Sequence, residues 1–570
     1  MGEERINWAL LRIIDALKFT LTQKWMSNAE TRKALDRMGT TWASFGLTGS
    51  HNRYETFTEE LKKLKPLLGP ALLQPSPTQP KLLGIKLYVY GFSRGAAAAR
   101  AFVNWLSELL PKPAGQNHRP EQCLMVDELK IPVSVEFLGL LDTVASVGVA
   151  HVAPVAEGHM SWADDTQELP DEETYGGLIK SCVHLVSSHE QRLCFPLDSI
   201  RRADGQYPAN SKEIVYPGMH SDIGGGYPPG DQGKADYIDI SDSQILSQIA
   251  LHDMYCNAFN AGAPLKIAIE AIPDDLKKDR WRTLPLDVLK EYSLHPSLIN
   301  RFNAWRELTL HLPPSGKKIT DEQAAQYDPP QASVSLEKAF ENQIAWITAW
   351  RIDRYAKGTM LNTPFYLRAS DTDGNPGALE TSKAKRDLKQ GAVEARRKEK
   401  IASQPADKMD ELVLEAGIKD FDPDIAQTQL KQASVEFGED YRQQLRSPTS
   451  IGQLVLAAIP HNSIFLLNID DKPREYALIK ASADTKVATL FPPLGEASNA
   501  DTPAGLVRAL FDDQIHDSRA WFMHYLLGTR EPWGSYFLYR MIYFGDNCNK
   551  SLSPLTIAGD VVGAATVVGG

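Results

Sequence analysis

The sequence predicts an α/β chain: a mostly parallel sheet carrying a largely helical cap or insert region. Three observations predict it. Between residues 83 and 230 short β-rich runs alternate with helical patterns, as a sheet covered by helices requires. Leu87, Tyr88, Val89 and Tyr90 form an apolar run suited to a buried parallel strand, and it passes at once into a breaker-free helical pattern from Ala96 to Leu106. From 231 to 445 the pattern is helical, with stretches such as Ser243 to Phe259.

Taken in order, residues 1–82 read as an N-terminal helical segment, with Trp8, Leu11, Ile14 and Leu17 expected on one apolar helix face. The proline-rich PSPTQP at 75–80 precedes the first clear strand. Residues 83–265 read as the catalytic core, 266–450 as a helical cap with a charged connector, and 451–570 as a C-terminal region packing on core or cap. The run from Lys383 to Lys400 predicts a solvated helix or connector. Apolar runs resume at IGQLVLAAI, SIFLLNI and KVATLFPP, where order is expected again. DTDGNPGALE at 371–380 resembles a calcium loop, but its sixth position is Pro376 where the sharp turn needs glycine, so it reads as a turn.

Composition excludes several functions. With 61 Lys and Arg against 72 Asp and Glu, the 570-residue chain carries a net charge of −11, which argues against a phosphate-backbone partner and hence against nucleic acid. Five cysteines without CxxC spacing indicate neither a zinc site nor a disulfide framework, and no cofactor is implied. Acidic residues precede the N-terminal apolar stretch and no small-residue cleavage site follows it, so it does not read as a signal peptide. No run of 18 uninterrupted apolar residues spans a bilayer.

Gly91, Ser93 and Gly95 match G-x-S-x-G, a weak signal alone but a stronger one between a strand and a helix. A nucleophile elbow needs that arrangement: the serine is held in a strained turn at the strand's carboxyl end, as in an α/β-hydrolase-like sheet. A serine hydroxyl then needs a base in reach and a carboxylate to orient it, in the chain order Ser, Asp or Glu, His. The strand pattern 133–148 reaches Asp142, an acid costly to bury without a role. The pattern 213–230 reaches His220 and Asp222, followed by three glycines that permit a tight backbone excursion. Ser93, Asp142 and His220 form one candidate triad; Ser93, Asp222 and His516 form another that obeys the same order, and His189 is a third candidate base. A metal reading of His220 and Asp222 lacks a third ligand at compatible spacing.

GFSRGAAAAR, FLGLLDTVASVG, SSHEQRLCFPLDS and PGMHSDIGGGY, in that order, resemble the signature blocks of bacterial type VI secretion lipase effectors, and FDDQIHDSRAWF and GSYFLYRMIYFGD resemble further segments of them. The resemblance covers about 85–265 and again 511–546. It implies a phospholipase or related carboxylic-ester hydrolase acting on membrane phospholipid, held in the producer's cytoplasm beside an immunity protein. Delivery to the target cell's periplasm or membrane on a type VI spike or adaptor is also implied. Matched block to block, the resemblance implies Ser93 as nucleophile, Asp142 as acid and His220 as base, and the elbow geometry gives Arg94 N–H as one oxyanion donor. The Asp-Gly-Thr strand with which the family usually opens is not found in residues 1–84, which leaves the second oxyanion donor unassigned. A soluble ester hydrolase or peptidase with the same triad, and a non-catalytic binding protein on the same fold, are the competing readings. Trp305, Trp346, Trp350 and Phe365 are candidates for lining an acyl groove or, at helical spacing, for a core.

Overall fold

The computed structural model describes residues 2–39, 49–73, 81–112, 121–145, 162–163, 168–192, 195–237, 240–272, 274, 282–313, 336–371, 377–405, 415, 422–443, 472–521 and 535–545. Four helices come first: α1 (Gly2–Thr22), α2 (Asn28–Met38), α3 (Gly49–Lys62) and α4 (Lys65–Leu73). Then follow β1 (Ile85–Phe92), α5 (Arg94–Glu108), β2 (Cys123–Val126), β3 (Leu129–Leu141), α6 (Glu172–Tyr175) and β4 (Cys182–Ser187). β5 (Leu197–Asp198), β6 (Ser211–Tyr216), α7 (His220–Gly224) and α8 (Ser247–Asn260) complete the first half. Beyond α8 the described chain is almost entirely helical until β7 (Ile542–Tyr543).

The main sheet runs β1-β3-β4-β6, all parallel, with β2 antiparallel to the start of β3. Both faces are covered, as a parallel sheet demands. On one face α1 and α5 pack over Val133, Val135, Leu138 and Leu140 of β3. The alanines of α5 allow this close approach; Ala96, Ala97 and Ala101 are completely buried. On the other face lies α8, so close to β3 that a Cβ on Gly139 would stand 2.6 Å from Met254 Sδ. The long helices Pro296–Leu310 and Leu336–Arg351 share that second core.

One expectation changes here. Leu11, Ile14 and Leu17 of α1 are buried with Ile6, Leu10 and Ile13, but Trp8 is 48% exposed and lies beneath the Arg12 guanidinium instead. Trp305, Trp346, Trp350 and Phe365 all belong to the second core, the second of the two readings open to them, because helical spacing turns them toward neighbouring helices. KVATL ends the helix Lys472–Leu490, so the chain there is ordered as expected. The charged run lies in the helix Ala378–Ser403. IGQLVLAAI, SIFLLNI and the apolar C-terminal residues 554–570 fall outside the described residues, as does the centre of the calcium-like string.

Candidate functional site

The site gathers at the carboxyl ends of the parallel strands, where loops from β1, β3, β4 and β6 converge. Ser93 bridges β1 and α5 at φ 58° and ψ −126°, a conformation costing on the order of 1–3 kcal/mol outside glycine. Its N–H donates to Leu141 O at 2.9 Å, which pins the turn to the end of β3. Serine at a helix N-cap ordinarily accepts from the first turn, but this side chain makes no capping bond, so its hydroxyl is not spent on α5. Gly91 is demanded by space, since a Cβ there would lie 2.3 Å from Gly95 O; at Gly95 a Cβ would meet nothing within 4 Å. Arg94 opens α5, and amides of a first helical turn lack intrahelical acceptors.

Asp142 follows β3 directly, fully buried and also at positive φ (42°). Its carboxylate accepts from Ser187 N and Ser187 Oγ, each at 2.9 Å, and meets His220 Nδ1 at 2.6 Å. Arg540 forks onto both oxygens, Nη1 to Oδ1 at 2.8 Å and Nη2 to Oδ2 at 2.9 Å. Burial opposes the charge on Asp142, but Arg540 and His220 outweigh it and hold the carboxyl well below the usual range.

His220 is the first residue of α7 and 3% exposed. Its backbone N–H donates to Glu190 Oε2 at 3.2 Å. Because Nδ1 faces a carboxylate, the favoured tautomer carries its proton there and leaves the Nε2 lone pair free to act as a base. Phe92, the residue before Ser93, packs against the imidazole at a 32° tilt with centroids 4.5 Å apart, and Phe195 meets it edge-on at 4.9 Å. Burial lowers the His220 pKa and Asp142 offsets part of that fall. Glu190 is itself buried, which opposes its charge, but Arg192 chelates it and holds it at about 2.

The other candidates sit elsewhere. Asp222 and His516 form a second buried pair, Nδ1 to Oδ1 at 2.6 Å, in which Asp222 also accepts from Met219 N at 2.8 Å and His516 N at 3.2 Å. His516 stacks on Tyr227 at 4.1 Å, so this dyad faces a different part of α7's surroundings from the elbow. His189 accepts from Gly218 N at 2.9 Å and pairs with Gln343 at 3.0 Å; burial drives it down to about 3. It is a connector between the sheet and the helical layer. Sequence reasoning missed Ser187, Glu190, Arg192 and Arg540, although all lie in or beside blocks singled out for resemblance. It also missed a third pair, His184 with Glu213 at 2.8 Å, whose Nε2 accepts from Thr143 N at 3.0 Å.

A groove of about 570 Å³ runs between α1, β1 and α5 past Tyr90 and Gly95, but its walls include neither Ser93 nor His220. Among the described residues no three His, Cys, Asp or Glu side chains are grouped to hold a metal, and no helix is long and apolar enough to cross a membrane.

With this geometry in hand, the comparisons decide the family. Residues 111–257 match the catalytic domain of the type VI secretion phospholipase effectors described as Tle1-like, and residues 298–570 match the C-terminal domain of the same effectors. The chain is 33% identical to an uncharacterized protein from Pseudomonas aeruginosa of known crystal structure, over 97% of this chain and 69% of that one, with a TM-score of 0.71. The chain belongs to the Tle1-like phospholipase effector family. Asp142 and His220 fall within the matched Tle1-like catalytic span, Ser93 lies just ahead of it, and Arg540 falls in the Tle1-like C-terminal span. A structure of the Tle1 effector bound to the VgrG spike is 18% identical over 53% of this chain and 66% of that one, with a TM-score of 0.22. No curated protein matches the chain.

Proposed function

We propose that this Tle1-like protein is a serine-dependent phospholipase that cleaves acyl esters of membrane lipids, with Ser93 as nucleophile, His220 as general base and Asp142 as orienting acid. The observation that carries the reading is the Asp142–His220 contact at 2.6 Å with the elbow's Phe92 packed at a tilt against the same imidazole. His220 Nε2 takes the Ser93 proton as Oγ attacks the ester carbonyl, and Arg94 N–H supports the oxyanion. Collapse of the tetrahedral intermediate expels the lysolipid alcohol, which receives the proton from His220. Water, deprotonated by the same imidazole, then attacks the acyl-serine and releases the fatty acid. Asp142 stays ionised throughout, stabilising the transient imidazolium, in keeping with its depressed pKa.

Family membership supports delivery by the type VI apparatus on a spike or adaptor and restraint by an immunity protein in the producer. The test is fatty-acid release from vesicles of phosphatidylethanolamine and phosphatidylglycerol by wild type, Ser93→Ala, His220→Ala and His516→Ala, each checked for folding. Loss in the first two with survival of the third is expected. Death of His516→Ala with survival of His220→Ala would move the base to the C-terminal region, and a folded wild type that releases nothing would overturn the substrate class. Equal rates on dissolved short esters and on vesicles would favour a soluble esterase.

A further inference from the structure

A guanidinium on the acid of a serine triad is a costly choice, and its origin makes it informative. Arg540 is 3% exposed and stands 398 residues from Asp142 in sequence. It uses all three of its nitrogens: Nη1 and Nη2 on the two carboxylate oxygens, Nη1 also on Ser187 Oγ at 3.0 Å and Ser187 O at 3.2 Å, and Nε on Phe195 O at 2.9 Å. Its backbone is fixed as well, because β7 begins two residues later and pairs with β5, with Leu197 N donating to Met541 O at 2.8 Å and Ser199 N to Tyr543 O at 2.9 Å. A planar fork on a carboxylate fixes rotamer as well as charge. The same contact ties β3, β4, the loop holding Phe195 and the C-terminal segment to one atom pair at the edge of the site.

We propose that Arg540 is a positioning residue of the hydrolytic site: forked onto both oxygens of Asp142, it holds the carboxylate in the rotamer that meets His220 and tempers the negative charge the imidazole faces. The segment 535–545 is thereby part of the catalytic apparatus and not only a packing element. The inference rests on the proposed role of the Asp142–His220 pair. The charged groups facing His220 are Asp142 from the end of β3, Glu190 and Arg192 from the loop after β4, Arg540 from ahead of β7, and Asp222 on its own helix, already engaged by His516. Around the ring Asp142 and Glu190 stand against Arg192 and Arg540, with Asp222 a third carboxylate paired to His516. Removing Arg540 leaves the imidazole facing excess negative charge, which favours its protonated form. The base then becomes available only at higher pH.

The experiment uses the full chain and two readouts. The first is the pH profile of kcat/KM for fatty-acid release from phosphatidylethanolamine and phosphatidylglycerol vesicles by wild type, Ser93→Ala, Arg540→Met and Arg540→Lys. The second is the titration of the His220 ring by NMR in histidine-labelled protein, assigned with His220→Gln. For Arg540→Met the acid limb and the ring titration both move up by roughly one pH unit, and kcat falls while KM holds. Arg540→Lys restores the position of the limb, since the charge returns, but only part of kcat, since the fork does not. Arg540→Met leaves Asp142 buried without its guanidinium partner; should it fail to fold, Arg540→Lys against wild type still separates charge from fork. An unmoved titration in Arg540→Met, or full kcat in Arg540→Lys, overturns the inference. If wild type and Ser93→Ala release fatty acid equally, the hydrolase reading fails, while the ring titration still decides the role of Arg540.

Discussion

Two imidazole–carboxylate pairs share one five-residue helix and differ in almost nothing local. His220 meets Asp142 and His516 meets Asp222 at the same 2.6 Å through the same ring nitrogen, and all four residues are nearly or wholly buried. What differs is the company. His220 packs at a tilt against Phe92 of the serine elbow, and its acid is the residue that follows the strand next to β1. His516 is stacked on Tyr227, and Asp222 spends its second oxygen on backbone amides of Met219 and His516, closing the C-terminal region against α7. A short histidine–carboxylate contact therefore identifies a polarised imidazole, and only its place relative to the Ser93 elbow makes it a candidate base. The His184–Glu213 pair makes the same point, for its Nε2 is already occupied by Thr143 N.

The comparison breaks most visibly in rates. His220→Ala is expected to lower kcat by at least about 10⁴-fold with the fold retained, and Asp142→Asn by a similar factor through loss of the correct tautomer. His516→Ala and Asp222→Asn should leave the rate of the folded fraction within a few-fold while costing about 2–3 kcal/mol of stability, because each leaves a buried partner unsatisfied. Vesicle assays paired with denaturant unfolding separate the two outcomes, and a 10⁴-fold loss in folded Asp222→Asn would reverse the assignment.

A smaller effect follows from acid. Glu213 is buried, yet His184, Arg201 and the amide of Ile200 hold it at about 2, as Arg192 holds Glu190. Both native values lie below the unfolded one, so these groups stabilise the fold above about pH 4.5, and that stability is lost as pH falls toward 2. The full loss is roughly 3 kcal/mol per group. Thermal unfolding of wild type and Glu213→Gln across that window checks it: the variant should show a shallower fall, and an identical slope would mean that Glu213 titrates normally.

Much of this architecture is legible in the chain. The strand before Ser93, the helix after it and the strands leading to Asp142 and His220 all follow from local pattern, because buried parallel strands and an alanine-rich helix leave strong periodic signals. Arg540 was not legible in the same way. Its partner is 398 residues away, and nothing in YFLYRMIYF distinguishes an arginine that neutralises a buried acid from one at a surface. The aromatic residues of the helical layer were legible only as a choice: helical spacing places Trp305 and Trp350 on a face, but whether ligand or a neighbouring helix covers that face is a tertiary fact. Both dyads were named from sequence, and chain order alone could not choose between them.

Glycines give the finest separation. A Cβ on Gly224 would stand 2.2 Å from the Phe92 ring, which must shift and carry the elbow away from His220. Gly224→Ala should therefore lower kcat by about 10-fold or more, as small displacements of a reacting pair do, while the Asp222–His516 side is untouched. Gly95 is the control within the same motif. Its Cβ would enter open space and it does not adopt a positive φ, so Gly95→Ala should raise stability by up to about 1 kcal/mol by restricting the unfolded chain, with activity largely kept. Loss of activity in folded Gly95→Ala would show that substrate passes over the first turn of α5, and the second glycine of the motif would then be required by the ligand and not by the backbone.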